Sequence, residues 1–259
     1  MSLELYLREQ GDSGPVILLL HGLFGSSSNW GSVARGLAQR YRVLIPDLRN
    51  HGQSPHHPDV SYTAMTSDLL ALLDGQRVQK AIVIGHSMGG KLGMHLALGY
   101  PQRVAGLAVV DMAPVAYQHR FDQVFRGFDA VDLASLGNRS DADASMAQHI
   151  LQPGVRAFLQ QNLQRVAGSW SWRCNLEALR NGQAEITGFE VPDHASYGGP
   201  ASFIHGTLSD YVLPAYHQAI IRYFPATDIC PVEGAGHWVY AEQPQRFSAC
   251  LDRFLRTVK

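Results

Sequence analysis

The segment 82–90 restricts the fold of this chain more than any other part of it. It begins as an apolar run that predicts a buried strand and continues into a sharp turn with Ser87 at its centre. Gly85 and Gly89 stand at the two positions where larger side chains would collide in such a turn. A bare G-x-S-x-G pattern also fits common glycine-rich turns. Here the preceding strand and a following small-residue helix over 91–97 favour a turn that presents Ser87 as a nucleophile.

The main chain around this turn predicts where negative charge could be held during a reaction. The N–H group of Met88 opens the helix and points toward any oxyanion formed at Ser87. A second continuous apolar run, 16–20, predicts another buried strand and ends in the loop 21–25. We interpret His21 as a residue that fixes this loop and the N–H group of Leu23 as the second oxyanion donor.

Composition excludes several broad classes of protein. The chain has 259 residues, which is within the size of one large α/β domain. Apolar residues make up 46% of it and charged residues 17%, a balance that can bury a large core. The formal net charge is -1 without long runs of like charge, which argues against nucleic acid or anionic membranes as partners. No apolar stretch reaches the roughly 18 residues of a membrane span.

The cysteines and the start of the chain indicate a compartment. Cys174, Cys230 and Cys250 are odd in number and scattered, with neither the spacing of a metal site nor that of a disulfide framework. This usage favours a reducing cytoplasm. Residues 1–10 alternate between apolar and charged side chains, which predicts a strand and not a signal peptide. The sequence therefore predicts a cytoplasmic protein.

Short apolar strands alternate with amphipathic helices along much of the chain. Such alternation predicts an α/β fold with a mostly parallel central sheet, right-handed crossovers and helices on both faces. A turn at 11–14 follows the first strand, so we expect that strand to pair antiparallel with the second. The predicted strands lie at 3–9, 16–20, 42–46, 82–84, 104–110, 201–205 and 227–232.

The alternation breaks between about Pro114 and Pro192, where no strand is evident. Short helices are predicted there over 121–136, 142–151, 155–166 and 172–179. We therefore expect a core of residues 1–113 and 193–259 with a helical insertion, 114–192. Because insertions after parallel strands fall at the carboxyl edge of a sheet, this one should lie over Ser87. Its apolar side chains would supply much of an acyl pocket, although most of them would pack the insertion onto the sheet: Phe121, Phe125, Phe128, Leu151, Phe158 and Trp172.

A nucleophilic serine needs a base, and His237 is the best placed of the 12 histidines. It follows the last predicted strand on the glycine-rich loop 234–238, where a surface histidine is the alternative reading. We interpret His86, next to the serine, as a structural residue hydrogen-bonded beneath the turn. His56 and His57 lie beside prolines and indicate an exposed loop more than a metal site.

On these motifs the chain resembles the α/β-hydrolase superfamily, and within it the esterase group of bacterial YbfF-type esterases and ABHD11-like proteins. Five blocks carry the resemblance, at 21–26, 47–52, 85–91, 111–115 and 234–239. The Arg-Asn-His-Gly turn at 49–52 and the Asp-x-Ala-Pro-Val block at 111–115 are the more specific ones. The resemblance implies the α/β-hydrolase fold with a helical cap inserted after its sixth strand, carboxylester hydrolysis, and neither cofactor nor metal. The order serine, acid, histidine is also that of the superfamily.

The acid that orients His237 has two candidates. Many superfamily members carry it after the seventh strand, but here that position is Ser209, and Asp210 comes one residue late. Asp111, at the end of the strand 104–110, is the other candidate, and the resemblance to the YbfF-like group favours it. Asp111 could instead cap a helix, and Asp210 could be a solvated loop carboxylate. With Asp111 as the acid, Ser209 would support it or the histidine by a hydrogen bond.

We therefore predict a serine carboxylesterase or thioesterase that hydrolyses short- to medium-chain acyl esters through an acyl-enzyme. Its partner would be a small acyl ester, and the protein would be a monomer or a small homo-oligomer. Two alternatives use the same site. One is a C–C bond hydrolase or perhydrolase with the same triad. The other is a ligand-binding receptor with slow turnover.

Overall fold

The computed structural model describes residues 2–118 and 121–258. Its strands are β1 (Leu7–Gln10), β2 (Val16–Leu20), β3 (Arg42–Pro46), β4 (Ala81–His86), β5 (Val104–Val110), β6 (Leu163–Val166), β7 (Ser169–Trp172), β8 (Ala201–Gly206) and β9 (Thr227–Val232). Its α-helices are α1 (Gly31–Leu37), α2 (Tyr62–Gly75), α3 (Met88–Gly99), α4 (Asp122–Asp129), α5 (Arg139–Ala147), α6 (Pro153–Leu159), α7 (Leu176–Asn181), α8 (Gln183–Thr187), α9 (His217–Tyr223), α10 (Val239–Glu242) and α11 (Pro244–Leu255). Among these described residues no helix is both long and apolar enough to cross a bilayer.

Seven strands form one sheet in the order β1-β3-β2-β4-β5-β8-β9. Every pair is parallel except β1 with β3, so the predicted mostly parallel α/β fold is confirmed. The predicted pairing of β1 with β2 is wrong. Both edges of β2 are occupied by parallel partners, β3 and β4, so β1 pairs with the outer edge of β3 instead.

The sheet is buried on both faces because successive side chains of each strand point to opposite sides. In β2, Leu18 and Leu20 belong to the apolar cluster that includes residues of α2 and α3. Ile17 and Leu19 of the same strand belong to the cluster that includes residues of α1 and α11. This two-sided burial holds the carboxyl ends of the strands rigidly, and the loops that follow β2, β4, β5, β8 and β9 leave the sheet at that edge.

The inserted segment between β5 and β8 contains α4 to α8 and the antiparallel hairpin β6–β7. The prediction of helices alone is therefore wrong for this segment. The helix predicted over 155–166 ends at Leu159, and the chain turns at Ala167 and Gly168, which both have positive φ (49° and 88°). Two successive residues with positive φ form the turn that suits a tight hairpin. In chain order the insertion follows the fifth strand of the described residues, not a sixth.

The structure joins Cys230 of β9 to Cys250 of α11 in a disulfide, with the Cα atoms 6.2 Å apart. Cys174 is a buried free thiol. The cysteine spacing implied no disulfide framework, so this single bond was not predicted. Helix α11 packs on β9, which brings together two cysteines whose spacing in the sequence is typical of no disulfide framework.

Candidate active site

Ser87 lies between β4 and α3 with φ 53° and ψ -119°, a conformation that residues with side chains rarely adopt. Its N–H group donates to the carbonyl oxygen of Val110 at 3.0 Å, which ties the turn to the end of β5. A Cβ atom on Gly85 would collide with the carbonyl of Gly89, and one on Gly89 would collide with the carbonyl of Leu20. The two glycines therefore allow the strained turn that lifts the serine above the sheet.

The loop after β2 lies directly against Ser87. A Cβ atom on Gly22 would come within 3.2 Å of the Cβ atom of Ser87, and Leu23 is the next residue of the loop. His21 holds this loop, because its Nε2 atom accepts from the N–H group of Leu48 at 2.9 Å and its Nδ1 atom lies 2.8 Å from the Gly22 carbonyl oxygen. Burial lowers the pKa of His21, which keeps the ring neutral and suits this pair of hydrogen bonds. The predicted oxyanion donor Leu23 thus lines the same cavity as the serine, and Met88, the other predicted donor, begins α3 directly after the serine.

His237 and Asp111 lie in direct contact, with 2.7 Å between Nδ1 of the histidine and Oδ2 of the aspartate. The Asp111 carboxylate is fully buried (0% exposed), whereas the His237 side chain is 23% exposed. The carboxylate also accepts from the hydroxyl of Ser209 at 2.5 Å and from the N–H group of Gly206 at 3.1 Å. A buried carboxylate bound to Nδ1–H leaves Nε2 of the imidazole as a proton acceptor.

The two candidate acids are placed very differently. Asp111 leaves the end of β5 with φ 52°, and its N–H group donates to the Ile204 carbonyl oxygen at 2.8 Å. Asp210 is exposed on the loop after β8. Ser209 stands at the position where the resemblance would place the acid, and its hydroxyl donates to Asp111 instead.

Two neighbours of His237 complete its surroundings. His86, buried beneath the turn, places Nε2 at 2.9 Å from the His237 carbonyl oxygen, and burial together with the nearby His237 ring keeps its pKa well below the ordinary value. Tyr211 stacks on the His237 imidazole with ring centroids 4.3 Å apart and planes 25° apart. Its N–H group donates to Ser209 Oγ at 3.3 Å. Sequence reasoning missed Tyr211, because a tyrosine next to a candidate acid carries no pattern that predicts stacking.

A buried lysine joins the inserted segment to this site. Lys91 of α3 is 1% exposed, and its Nζ atom donates to the carbonyl oxygens of Thr187 at 2.5 Å and Gly188 at 2.7 Å. The same nitrogen lies 4.8 Å from the ring centre of Tyr117, whose hydroxyl donates to the Tyr211 carbonyl oxygen at 2.6 Å. Burial lowers the pKa of Lys91 to about 7. Contacts therefore run from the end of α8 through Lys91 and Tyr117 to the residue stacked on His237.

A cavity of about 160 Å³, the inner cavity, opens beside Ser87 and His237. Its apolar walls come from the loop after β2, the inserted segment and the loop after β9, and its lining includes Leu23, Phe24, Phe121, Val124, Val155, Phe158, Leu159 and Trp238. Of the other side chains predicted to line a pocket, Phe125 and Phe128 pack against Phe24, and Trp172 packs against Phe128. Leu151 is 81% exposed, so its predicted place in the pocket is wrong.

Within the described part of the chain, no group of three or more His, Cys, Asp or Glu side chains is placed to hold a metal ion. What the site does hold is a strained serine, an imidazole bound to a buried carboxylate, and the loop of Gly22 and Leu23 close to the serine. Such an arrangement can attack an acyl carbon, move one proton and stabilise an oxyanion.

Comparisons with known proteins find one matching family model and relatives that are named esterase or lipase. A family model described as the alpha/beta hydrolase fold matches residues 15–244. The chain is 41% identical over 249 residues to the sn-1-specific diacylglycerol lipase ABHD11 of Mus musculus, which covers 93% of this chain and 81% of that protein. It is 38% identical to esterase YbfF of Escherichia coli K12, covering 96% of this chain and 95% of that one. A solved marine microorganism esterase superposes with a TM-score of 0.94 at 32% identity, covering 99% and 100% of the two chains.

Proposed function

This chain belongs to the α/β hydrolase family, and from that premise we propose that it is a serine carboxylesterase for short- to medium-chain acyl groups. It hydrolyses esters, as do the relatives that are named esterase or diacylglycerol lipase and match nearly all of the chain. The observation that carries the proposal is the 2.7 Å contact between His237 and the buried Asp111, beside the cavity that Ser87 lines. Thioesters would react at the same site by the same steps.

The proposed reaction begins when Ser87 Oγ attacks the acyl carbon and its proton passes to Nε2 of His237. The N–H groups of Leu23 and Met88 hold the oxyanion of the tetrahedral intermediate. Asp111 keeps the tautomer of the imidazole and stabilises the imidazolium. The C–O bond to the alcohol then breaks, and His237 donates its proton to the leaving oxygen. Water attacks the acyl-enzyme by the same sequence, which releases the acid and regenerates the serine.

The size of the inner cavity supports the proposed short- to medium-chain length of the acyl group. Its volume of about 160 Å³ is below the roughly 300–1,000 Å³ of pockets that enclose drug-sized ligands. A short acyl chain fills this space, and its apolar walls favour an aliphatic group over a charged one.

The insertion 114–192 is proposed to be a cap over a core of residues 1–113 and 193–259. Support comes from Phe121 and Phe158, which line the inner cavity together with Ser87, and from the hydrogen bond between Lys91 and the end of α8.

That the protein is a monomer or a small homo-oligomer stays a prediction, which analytical ultracentrifugation would test. A cytoplasmic location also stays a prediction, and the Cys230–Cys250 disulfide counts against it, because reducing compartments keep thiols reduced. Alkylation of thiols in intact cells, followed by mass spectrometry, distinguishes the two states.

The proposed mechanism is tested by Ser87→Ala. Loss of the nucleophile costs on the order of 10⁶ in turnover in serine hydrolases. The measurement is hydrolysis of a p-nitrophenyl acyl ester series by the folded variant, together with mass spectrometry of wild-type protein treated with a fluorophosphonate. We expect one covalent adduct on Ser87 of the wild type and essentially no turnover by the variant. A variant that retained more than a few per cent of the activity, with contaminating esterase excluded, would show that the covalent mechanism is wrong.

A further inference from the structure

A second cavity, of about 890 Å³, lies directly outside the inner cavity, and we call it the outer groove. The two spaces share Val155, Phe158 and Trp238 as lining residues. The rings of Phe158 and Trp238 are in contact, with centroids 5.5 Å apart. This aromatic pair therefore stands between the serine and the outer groove.

The position of His237 decides which half of an ester enters the outer groove. In the proposed reaction this histidine gives its proton to the leaving oxygen, so the alcohol portion must lie on the histidine's side of the acyl carbon. Trp238 directly follows His237 and lines both spaces, and Tyr240, Ala241 and Glu242 of the helix α10, which begins at the next residue, form one wall of the groove. The acyl portion then takes the inner cavity, and the alcohol portion extends past Trp238 into the groove.

The lining of the groove selects the chemistry of that alcohol. Val155, Ala157, Phe158 and Trp238 form an apolar surface, and an amide pair borders it, with Asn29 Nδ2 donating to Gln161 Oε1 at 3.0 Å. Among the described residues that line the groove, Glu242 is the only charged side chain.

Glu242 is held in place by the loop that carries the histidine. Its carboxylate accepts from the N–H groups of Gly236 at 2.7 Å and Trp238 at 3.1 Å. The negative charge is therefore fixed at the groove wall, where it repels an anionic alcohol.

We propose that the outer groove binds the alcohol portion of the substrate, and that the preferred substrates are esters of large, uncharged and mostly apolar alcohols. Esters whose alcohol carries a phosphate or carboxylate are poor substrates. This inference rests on the proposed ester hydrolysis and adds the class of alcohol to it.

Gly154 allows a direct test, because a Cβ atom there meets no atom within 4 Å and the residue lines the outer groove near the start of α6. In Gly154→Leu the new side chain occupies part of the groove. Leucine also has a higher helix propensity than glycine, so the substitution suits a position in α6. Gly99→Leu is the matched control, since Gly99 also has open space around it and ends α3, a helix that starts at the serine and runs 12 residues away from it. Ala157→Leu, also in the groove, is the second variant should Gly154→Leu fail to fold.

The assay compares kcat/KM for ethyl acetate, hexyl acetate and the acetate of 6-hydroxyhexanoate, each followed by release of acetic acid. For the wild type we expect hexyl acetate to exceed both others by about tenfold or more, the scale of a few added methylenes in an apolar pocket. Gly154→Leu should lower the ratio of hexyl to ethyl acetate about tenfold or more, whereas Gly99→Leu should keep the wild-type ratio. The ratio of ethyl hexanoate to ethyl acetate, which varies the acyl group, should not change in Gly154→Leu.

Each other outcome has a definite meaning. An unchanged ratio of hexyl to ethyl acetate in both groove variants overturns the inference while ester hydrolysis stands. A change confined to the acyl series places the acyl chain in the groove and also overturns it. Equal rates for hexyl acetate and its carboxylated analogue contradict the proposed selection against charge. A wild-type protein inactive on every ester would overturn the proposed function itself.

Discussion

The phenol ring of Tyr211 lies face to face with the imidazole of His237, with centroids 4.3 Å apart. The tyrosine is itself held at both ends, by the Tyr117 hydroxyl on its carbonyl oxygen and by Ser209 on its N–H group. Both contacts involve the backbone of Tyr211 and can form with leucine or phenylalanine at this position, so the stacking can be tested separately from the loop. The ring fixes the plane of the imidazole and offers a π face to the imidazolium that forms during the reaction.

Replacing Tyr211 by leucine should lower kcat for a p-nitrophenyl ester with little change in KM, because the stacked ring acts on the imidazolium of the transition state. A cation–π contact contributes about 0.5–2 kcal/mol, which corresponds to a loss of about 2- to 30-fold. Tyr211→Phe keeps the ring and should restore most of the activity. Steady-state kinetics of the two folded variants provide the test, and equal losses in both would assign the effect to the hydroxyl instead of the stacking.

Asp111→Asn should reduce ester turnover at least about 100-fold, since an amide at Nδ1 favours the wrong tautomer and cannot stabilise the imidazolium. Asp210→Asn is the matched control on the neighbouring exposed loop and should cost less than about tenfold. Ser209→Ala removes one donor to Asp111 and should fall between the two. Turnover numbers are compared after circular dichroism has shown all three proteins to be folded. The reverse order, with Asp210→Asn the crippled variant, would move the acid to the loop after β8.

Lys91 predicts a pH dependence of stability. Burial lowers its pKa from 10.5 to about 7 in the folded protein, so between these values the unfolded chain binds more proton than the folded one. The unfolding free energy of the wild type should therefore rise with pH above about 7, relative to Lys91→Met, by up to ~1.4 kcal/mol per pH unit. Denaturant titrations of both proteins at pH 7, 8 and 9 measure the difference. A constant difference over this range would mean that Lys91 stays fully charged in the fold.

The disulfide between Cys230 and Cys250 joins residues separated by 20 positions in the sequence. Closing a loop of this length stabilises a fold by roughly 3 kcal/mol in the chain-entropy account. Cys250→Ser should lower the unfolding free energy by about that amount without changing kcat. Adding a reductant to the wild type should lower its melting temperature, while the variant should not respond. If reductant left the wild-type melting curve unmoved, the two thiols would not be bonded in solution.

Local sequence was sufficient for the parts of this protein that local sterics control. The turn at Ser87 needs small residues on both sides, so Gly85 and Gly89 identify it without knowledge of the rest of the chain. Continuous apolar runs likewise predict strands buried on both faces, and their alternation with helices leads to the parallel sheet. Local sequence also identified His237 as the candidate base, because its glycine-rich loop follows the last strand.

The identity of the carboxylate partner of His237 depended on tertiary structure. Asp111 and Asp210 both follow strands, and only the adjacent course of β5 and β8 places one carboxylate against the imidazole and leaves the other exposed. Sequence alone also did not predict the β1–β3 pairing, the Cys230–Cys250 bond or the stacking of Tyr211. Each of these joins residues that are distant in sequence or lie in different elements.

The outer groove is also a product of tertiary structure, since its walls come from α6, the loop after β9, α10 and the segment before α1. The pattern of apolar residues in a sequence does not predict a cavity, because a cavity is the space left between elements that pack for other reasons. The sequence by itself determined which residues can do chemistry. The packing of distant segments decided which of them meet and what space surrounds them, because hydrogen bonds and apolar contacts form between neighbours in space, whatever their separation along the chain.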